Sequence, residues 1–249
     1  MARLRVETDV DGCRILWLDR PEKRNALDEA FLSEILIEAD RTLADPAVRV
    51  VVLRSTSPIF CAGADLNDWA NTAPVEAQRL SALGSRAFQA LADLPIPVVA
   101  AMEGAALGGG LELALACDIR IASTACRLGF PEPRLGNSPA WGGMARLVEA
   151  AGKAKARDLL LTGDIILADE AHAFGLVQRL FSPEEFQKGL SQLIQSIVAC
   201  DPGTLTYIKA ILSCSPQAVA AQEAAIAGFV STRPESRKRK QDFLSDRKR

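Results

Sequence analysis

The sequence predicts an α/β fold with a helical C-terminal region. Near-continuous apolar runs such as "RVVVLRS" (49–55) and "IPVVAAMEG" (96–104) read as strands buried on both faces. Between them, apolar residues recur at three- and four-residue spacing, as helices packed on a sheet require. From 183 onward strand signals stop and helical patterns remain alone. The boundary is placed near 195, giving a core over 1–195 and a helical region over 196–249.

The elements follow in order. "LRVETD" and "CRILWLD" read as a hairpin joined by "VDG". "RPEKRNALD" is a polar loop. Phe31, Leu32, Ile35, Leu36, Ala39 and Leu43 form a helical stripe with Asp28 as N-cap. After strand 49–55, "SPIFCAGADLNDW" starts as a short strand and breaks into a Gly loop. A helix covers about 75–93, and the strand over 96–104 ends at Gly104. "GAALGGGLELALACD" (104–118) reads as a helix, followed by strand 118–123. A long Pro- and Gly-rich loop runs to 143. Helices are expected at about 142–151, 153–161 and 168–174, then a strand within "LVQRLFS". Helices at about 183–199, 202–213, 216–230 and 234–245 complete the chain.

Composition excludes several classes. The chain has 249 residues, 49% of them hydrophobic and only 5% aromatic, enough for one large aliphatic core. A net charge of -2 gives no reason to expect nucleic-acid binding. No apolar run reaches membrane-spanning length. The opening residues lack a signal-peptide h-region. The six cysteines are scattered without a CxxC pair, so reduced thiols in the cytoplasm are expected. The only histidine, His172, has helical spacing and no ligand cluster, so neither a zinc site nor a histidine-based triad is expected. Residues 233–249 carry a net charge of +5 on a body of -7. Charge alone favours a solvated end over a phosphate or subunit contact.

Chemistry gathers around small-residue loops and two glutamates. The run Gly108–Gly110 lacks the spacing of a dinucleotide fingerprint. Glycine there serves either close packing or approach of backbone N–H groups to a ligand at a helix N-terminus. "CAGADL" (61–66) is a second such loop after an apolar segment. Two loops of this kind could present two N–H groups to one oxygen, as an oxyanion hole does. Glu112 lies in a helix apolar nearly all round, where a carboxylate needs a partner or a function. Glu132, fixed between Pro131 and Pro133, is either a positioned acid or a surface residue paired with Arg134. Two carboxylates beside two N–H loops suit a reaction passing through an enolate.

These stretches resemble the crotonase, or enoyl-CoA hydratase/isomerase, superfamily. The resemblance rests on "RPEKRNAL" (20–27), "CAGADL" (61–66), "AALGGGLELALACD" (105–118), "LGFPEPRLGNSP" (128–139) and "LLTGDIILADEAHAFGLV" (160–177). It implies an α/β spiral of ββα repeats holding an acyl-CoA site, with C-terminal helices that assemble trimers or dimers of trimers. Ala64 and Gly109 match the oxyanion-hole positions, and Glu112 and Glu132 match the two hydratase acids. Lys23, Arg24, Ala26 and Leu27, with Ala62, Asp65 and Leu66, match segments that bind CoA. The resemblance implies a lyase adding water to an enoyl-CoA in fatty-acid metabolism. Coenzyme A is part of the substrate, so neither a separate cofactor nor a metal is implied. Related reactions are double-bond isomerisation, retro-aldol cleavage and thioester hydrolysis; a non-catalytic acyl-CoA-binding subunit is the alternative of another class. The sequence departs from the hydratase pattern at "PAWGGMARL" (139–147). There Ala140 replaces a glycine and Trp141 brings a large aromatic. Trp69, Ala140 and Trp141 are therefore candidate acyl-pocket residues, with ordinary core packing the other use of either tryptophan.

Overall fold

The computed structural model of the chain describes residues 2–69, 72–213 and 216–246. The first two strands, β1 (Leu4–Thr8) and β2 (Cys13–Leu18), form the expected antiparallel hairpin, with Leu4 opposite Leu18. Strand β3 (Val50–Ser55) joins β2 in parallel, and β4 (Val98–Met102) joins β3. Then come β5 (Ala105–Leu107), β6 (Ile119–Ser123), β7 (Arg127–Gly129), β8 (Ile165–Leu167) and β9 (Arg179–Phe181). The larger sheet has the order β1-β2-β3-β4-β6-β9, and a smaller one has the order β5-β7-β8. Strand β4 is followed at once by β5, and β6 by β7. These two passes each give one strand to each sheet before the chain enters a helix, the expected ββα alternation.

Alternation along the strands explains the layers. In β3, Val51 and Leu53 face one core while Val50 and Val52 face another. Helices α1 (Glu29–Leu43) and α3 (Pro74–Ala92) cover the first face with Phe31, Ile35, Ala87 and Phe88. Helix α7 (Phe186–Ala199) covers the second with Phe186, Leu190 and Leu193. Burying each such valine or leucine stabilises by about 1.5–3 kcal/mol. Asp28 caps α1 as expected, its carboxylate accepting from the Phe31 N–H at 2.9 Å.

The remaining helices are α2 (Leu66–Trp69), α4 (Gly109–Leu115), α5 (Gly143–Thr162), α6 (Ala168–Ala173), α8 (Pro202–Leu212), α9 (Pro216–Thr232) and α10 (Pro234–Asp246). The two helices expected over 142–161 are the two limbs of α5, bent at Gly152 (φ 75°, ψ 157°). The smaller sheet overturns two expectations. Residues 105–107 are strand, so the helix expected over 104–118 starts only at Gly109. The loop expected up to 143 contains β7 and a 3-10 turn over Glu132–Leu135. Three-residue strands are too short to show a period; pairing between distant segments makes them.

Two basic residues of the tail are engaged within the chain. Arg233 pairs with Asp201 at 2.6 Å, and Arg239 donates to the Ala199 carbonyl at 2.7 Å. Lys209 of α8 reaches Asp118 at 2.7 Å and so ties the helical region to the large sheet. Among the described residues no helix is long and apolar enough to cross a membrane.

Candidate active site

The two small-residue loops meet. Cys61 pairs with Ala106 in a parallel bridge, the Leu107 N–H donates to the Cys61 carbonyl at 3.0 Å, and a Cβ placed on Gly63 would stand 3.3 Å from the Gly109 nitrogen. Leu27 bridges Ala64 from the other side. Its N–H donates to the Gly63 carbonyl (2.8 Å) and its carbonyl accepts from the Asp65 N–H (2.9 Å). This pattern passes over the Ala64 N–H. At the head of α4 the Gly108 carbonyl accepts from Leu111 and Glu112 and passes over Gly109. Among the described hydrogen bonds, neither the Ala64 nor the Gly109 N–H has an acceptor.

Each of the three glycines has its own physical reason. Gly108 takes φ +52°, which costs a residue with a side chain, and a Cβ there would stand 2.7 Å from Glu132 Oε1. A Cβ on Gly109 would enter the Trp141 indole, 2.7 Å from Cε3. One on Gly110 would lie 2.8 Å from the Cys61 Cβ.

Glu112 is 2% exposed. Its Oε1 accepts from the N–H groups of Trp141 and Gly143, both at 2.8 Å. Gly143 opens α5, so the carboxylate sits at the positive end of that helix. Burial raises its pKa above the usual carboxylate range; the N–H groups of Gly143, Trp141 and Ala140 and the charge of Arg146 oppose this. A Cβ on Gly143 would stand 2.8 Å from Oε1, so the glycine is needed for this approach.

Glu132 is different. Arg134, its candidate partner, pairs instead with Asp164 at 2.6 Å. Glu132 Oε2 is buried without a hydrogen-bond partner. Burial pushes its pKa up to about 7, with the nearby Glu112 charge adding to the rise and its own N–H opposing it. A carboxyl group there exchanges its proton near neutrality, as a general acid or base must.

The other candidates divide. Lys23 and Arg24 are exposed on the rim, and the Arg24 carbonyl accepts from the Ala62 N–H at 3.0 Å. Ala26 and Ala62 are half-buried, and Leu66 is exposed at the start of α2. Leu27 is in the core. The Asp65 carboxylate is held by Arg20 and Asn67, both at 2.8 Å, which gives it a local structural use. Ala140 turns its carbonyl to Ser81 and Ser85 of α3, at 2.8 and 3.2 Å. Trp141 is 2% exposed and meets Phe88 edge-on, so its indole fills space under the Gly109 turn. The Trp69 side chain lies outside the described ones. His172 bonds the Val177 carbonyl through Nδ1 (2.8 Å), a local tie after α6.

Sequence reasoning missed Asn25. It is fully buried at φ +56°, and its amide donates to Ser55 Oγ (2.7 Å) and to the Ile59 (2.9 Å) and Phe60 (3.1 Å) carbonyls. Its Oδ1 accepts from the Arg20 N–H at 2.8 Å. This side chain ties the loop carrying Lys23–Leu27 to the segment over 55–60. An asparagine in a tight polar loop, tolerant of the left-handed region, was the available signal.

A cavity of about 660 Å³ lies at the other end of α4, lined by Leu115, Asp118, Arg120, Arg146 and Lys209 among others. None of Ala64, Gly109, Glu112 or Glu132 lines it. Reactive groups, not cavity size, locate the candidate chemistry.

The chain is similar to known proteins over most of its length. The chain is 39% identical over 186 residues to the crotonyl-CoA hydratase of Syntrophomonas wolfei subsp. wolfei, covering 74% of this chain and 72% of that one. It is 36% identical over 189 residues to the short-chain-enoyl-CoA hydratase of Clostridium acetobutylicum, covering 76% and 72%. The crystal structure of an enoyl-CoA hydratase from Bacillus anthracis superposes with a TM-score of 0.94 at 28% identity, over 98% of this chain and 97% of that one. The sequence model of the enoyl-CoA hydratase/isomerase family matches residues 11–247, nearly the whole of the fold described above, and the chain belongs to that family.

Proposed function

We propose that the protein is an enoyl-CoA hydratase that adds water across the 2,3-double bond of an enoyl-CoA thioester. The observation that carries this reading is the pairing of two unlike carboxylates, Glu112 and Glu132, beside two N–H groups that have no acceptor among the described residues. The Ala64 and Gly109 N–H groups take the thioester oxygen and the charge that grows on it as the enolate forms. Glu112, held by the 141–143 backbone, takes a proton from the water whose oxygen bonds to C3. Glu132, with a pKa near 7, gives its proton to C2. One water is consumed, and proton transfer from Glu112 to Glu132 restores both groups.

Coenzyme A enters as part of the substrate, along Lys23, Arg24, Ala26 and Leu27 and the facing Ala62, Asp65 and Leu66. Ala140 bounds the acyl end, with the buried Trp141 indole behind it. The reaction takes no separate cofactor or metal. The core over 1–195 holds the site. The helical region over 196–249 joins copies into a trimer or a dimer of trimers in the cytoplasm. Exposed Phe229, Phe243 and Leu244 on α9 and α10 support that assembly.

The test is turnover of crotonyl-CoA and of longer and branched enoyl-CoA esters, read by mass spectrometry. Hydration adds the mass of water. Isomerisation adds none, thioester hydrolysis frees the CoA thiol, and retro-aldol cleavage splits the acyl chain. No hydration across the series, with CoA esters still bound when both glutamates are replaced, would leave an acyl-CoA-binding subunit. Light scattering reads the assembly.

A further inference from the structure

Trp141 stands where three parts of the site meet. Its N–H is among those that hold Glu112. Its indole meets Phe88 of α3 at 5.5 Å between ring centroids, nearly perpendicular at 85°. Two residues without side chains flank the indole. A Cβ on Gly84 of α3 would stand 2.7 Å from Cε2; one on Gly109 would stand 2.7 Å from Cε3 and 3.3 Å from Cη2. Carbon atoms rest at about 3.5–4.0 Å from one another, so neither site has room for a methyl group. The indole is clamped between the middle of α3 and the first residue of α4. The adjoining backbone is held by the same helix, through Ser81 and Ser85 to the Ala140 carbonyl. Residues 81, 84, 85 and 88 share one face of α3.

We propose that Trp141 is a positioning residue that acts through Gly109 and Glu112, with Gly84 as its seat. Packed against Gly84, the indole fixes where the Gly109 N–H points, and the 140–143 backbone it belongs to fixes Glu112. The face of α3 thereby sets the alignment of the oxyanion donor with the buried acid. The kinetic part of this inference rests on the hydratase reading; the spectroscopic part does not.

The test is a double-mutant cycle in the full chain with Gly84→Ala, Trp141→Phe and both together. The atoms nearest Gly84 belong to the five-membered ring of the indole, whose space a phenylalanine ring also fills; those nearest Gly109 belong to the outer six-membered ring, which phenylalanine lacks. In the wild-type background the new methyl drives the indole toward Gly109; in the Phe background the displaced ring moves into the space left by the outer ring and stops short of Gly109. Since a displacement of about 1 Å can cost about 100-fold, Gly84→Ala is expected to lower kcat on crotonyl-CoA about 30- to 100-fold, with KM within about threefold. Trp141→Phe is expected to cost about tenfold, and adding Gly84→Ala to it less than about threefold more. The thioester carbonyl stretch of bound butyryl-CoA, lowered by the N–H pair in the wild type, should return toward the free-ester value in Gly84→Ala and recover in the double variant. A second arm, Ser81→Ala with Ser85→Ala, leaves the indole untouched. It should lower kcat severalfold and move the pH profile. Additive losses with an unmoved carbonyl stretch, or an unaltered profile in the serine variant, would overturn the inference. A wild type that hydrates no enoyl-CoA but loses its carbonyl shift in Gly84→Ala would remove the hydratase reading and keep this one.

Discussion

Glu112 and Glu132 are the same side chain set in opposite surroundings. Each lies in the first turn of a helical element, Glu112 in α4 and Glu132 in a 3-10 turn. Glu112 is fastened by two N–H groups at 2.8 Å and helps start α5. Glu132 has a buried oxygen with no partner and a pKa pushed up to about 7. One carboxylate is part of the scaffold, and the other is left able to exchange a proton. Rate and stability should therefore separate at these two positions.

The largest effects are expected from the carboxylates themselves. Because general acid–base catalysis contributes about 100- to 10,000-fold, Glu112→Gln and Glu132→Gln should each lower kcat by about that factor while CoA esters still bind. Stability should split the pair. Glu112→Gln weakens a charged cap and should cost about 1–2 kcal/mol in denaturant unfolding. Glu132→Gln should cost nothing at pH 4 and stabilise by about 1 kcal/mol at pH 8, a figure kept low because solvent partly screens the group. The sign follows from linkage. The native state holds the Glu132 proton more tightly than the unfolded chain does, so stability is full below the unfolded pKa and is lost as pH rises through about 7. Equal destabilisation by both variants would erase the contrast.

A smaller effect is expected from moving a carboxylate without removing it. Gly143→Ala crowds Glu112 Oε1 and should reduce kcat by about 10- to 100-fold with KM little changed, measured at saturating crotonyl-CoA. Next comes the pH profile. Hydration needs Glu132 protonated, so kcat should fall above about pH 7. The acid limb should lie above the ordinary carboxylate range, where Glu112 takes up a proton. An alkaline limb that survives in the residual activity of Glu132→Gln would assign it to another group. The smallest effect belongs to the exposed Arg134–Asp164 pair beside Glu132. Asp164→Asn should change stability by less than about 1 kcal/mol in thermal unfolding.

Much of this was legible in the sequence, for reasons that also mark its limits. Buried strands such as β3 and β4 announce themselves as apolar runs, and Asp28 as a cap by its place before an amphipathic stripe. Gly152, which divides α5, could be read from residue type alone. The strands β5, β7 and β8 could not, because three residues carry no period and their pairing is settled by distant segments. The family motifs pointed to Glu112, Glu132, Ala64 and Gly109 as a set. They did not foretell that Arg134 turns away to Asp164, nor that Asp65 is taken up by Arg20 and Asn67. Asn25 lay inside a quoted motif and still went unread, since its importance comes from five partners spread between residues 20 and 60. Trp141 was noticed for its size; its two glycine neighbours, 57 and 32 positions upstream, become visible only in three dimensions.

The helix cap at Glu112 bears on how a site of this design can change its chemistry over generations. Any substitution there that leaves no acceptor removes an acid and also strands the Trp141 and Gly143 N–H groups in the interior, so it must be matched by a new acceptor. Glu132 carries no such debt on its buried oxygen. Drift toward another reaction therefore has an open door at Glu132 and a barred one at Glu112.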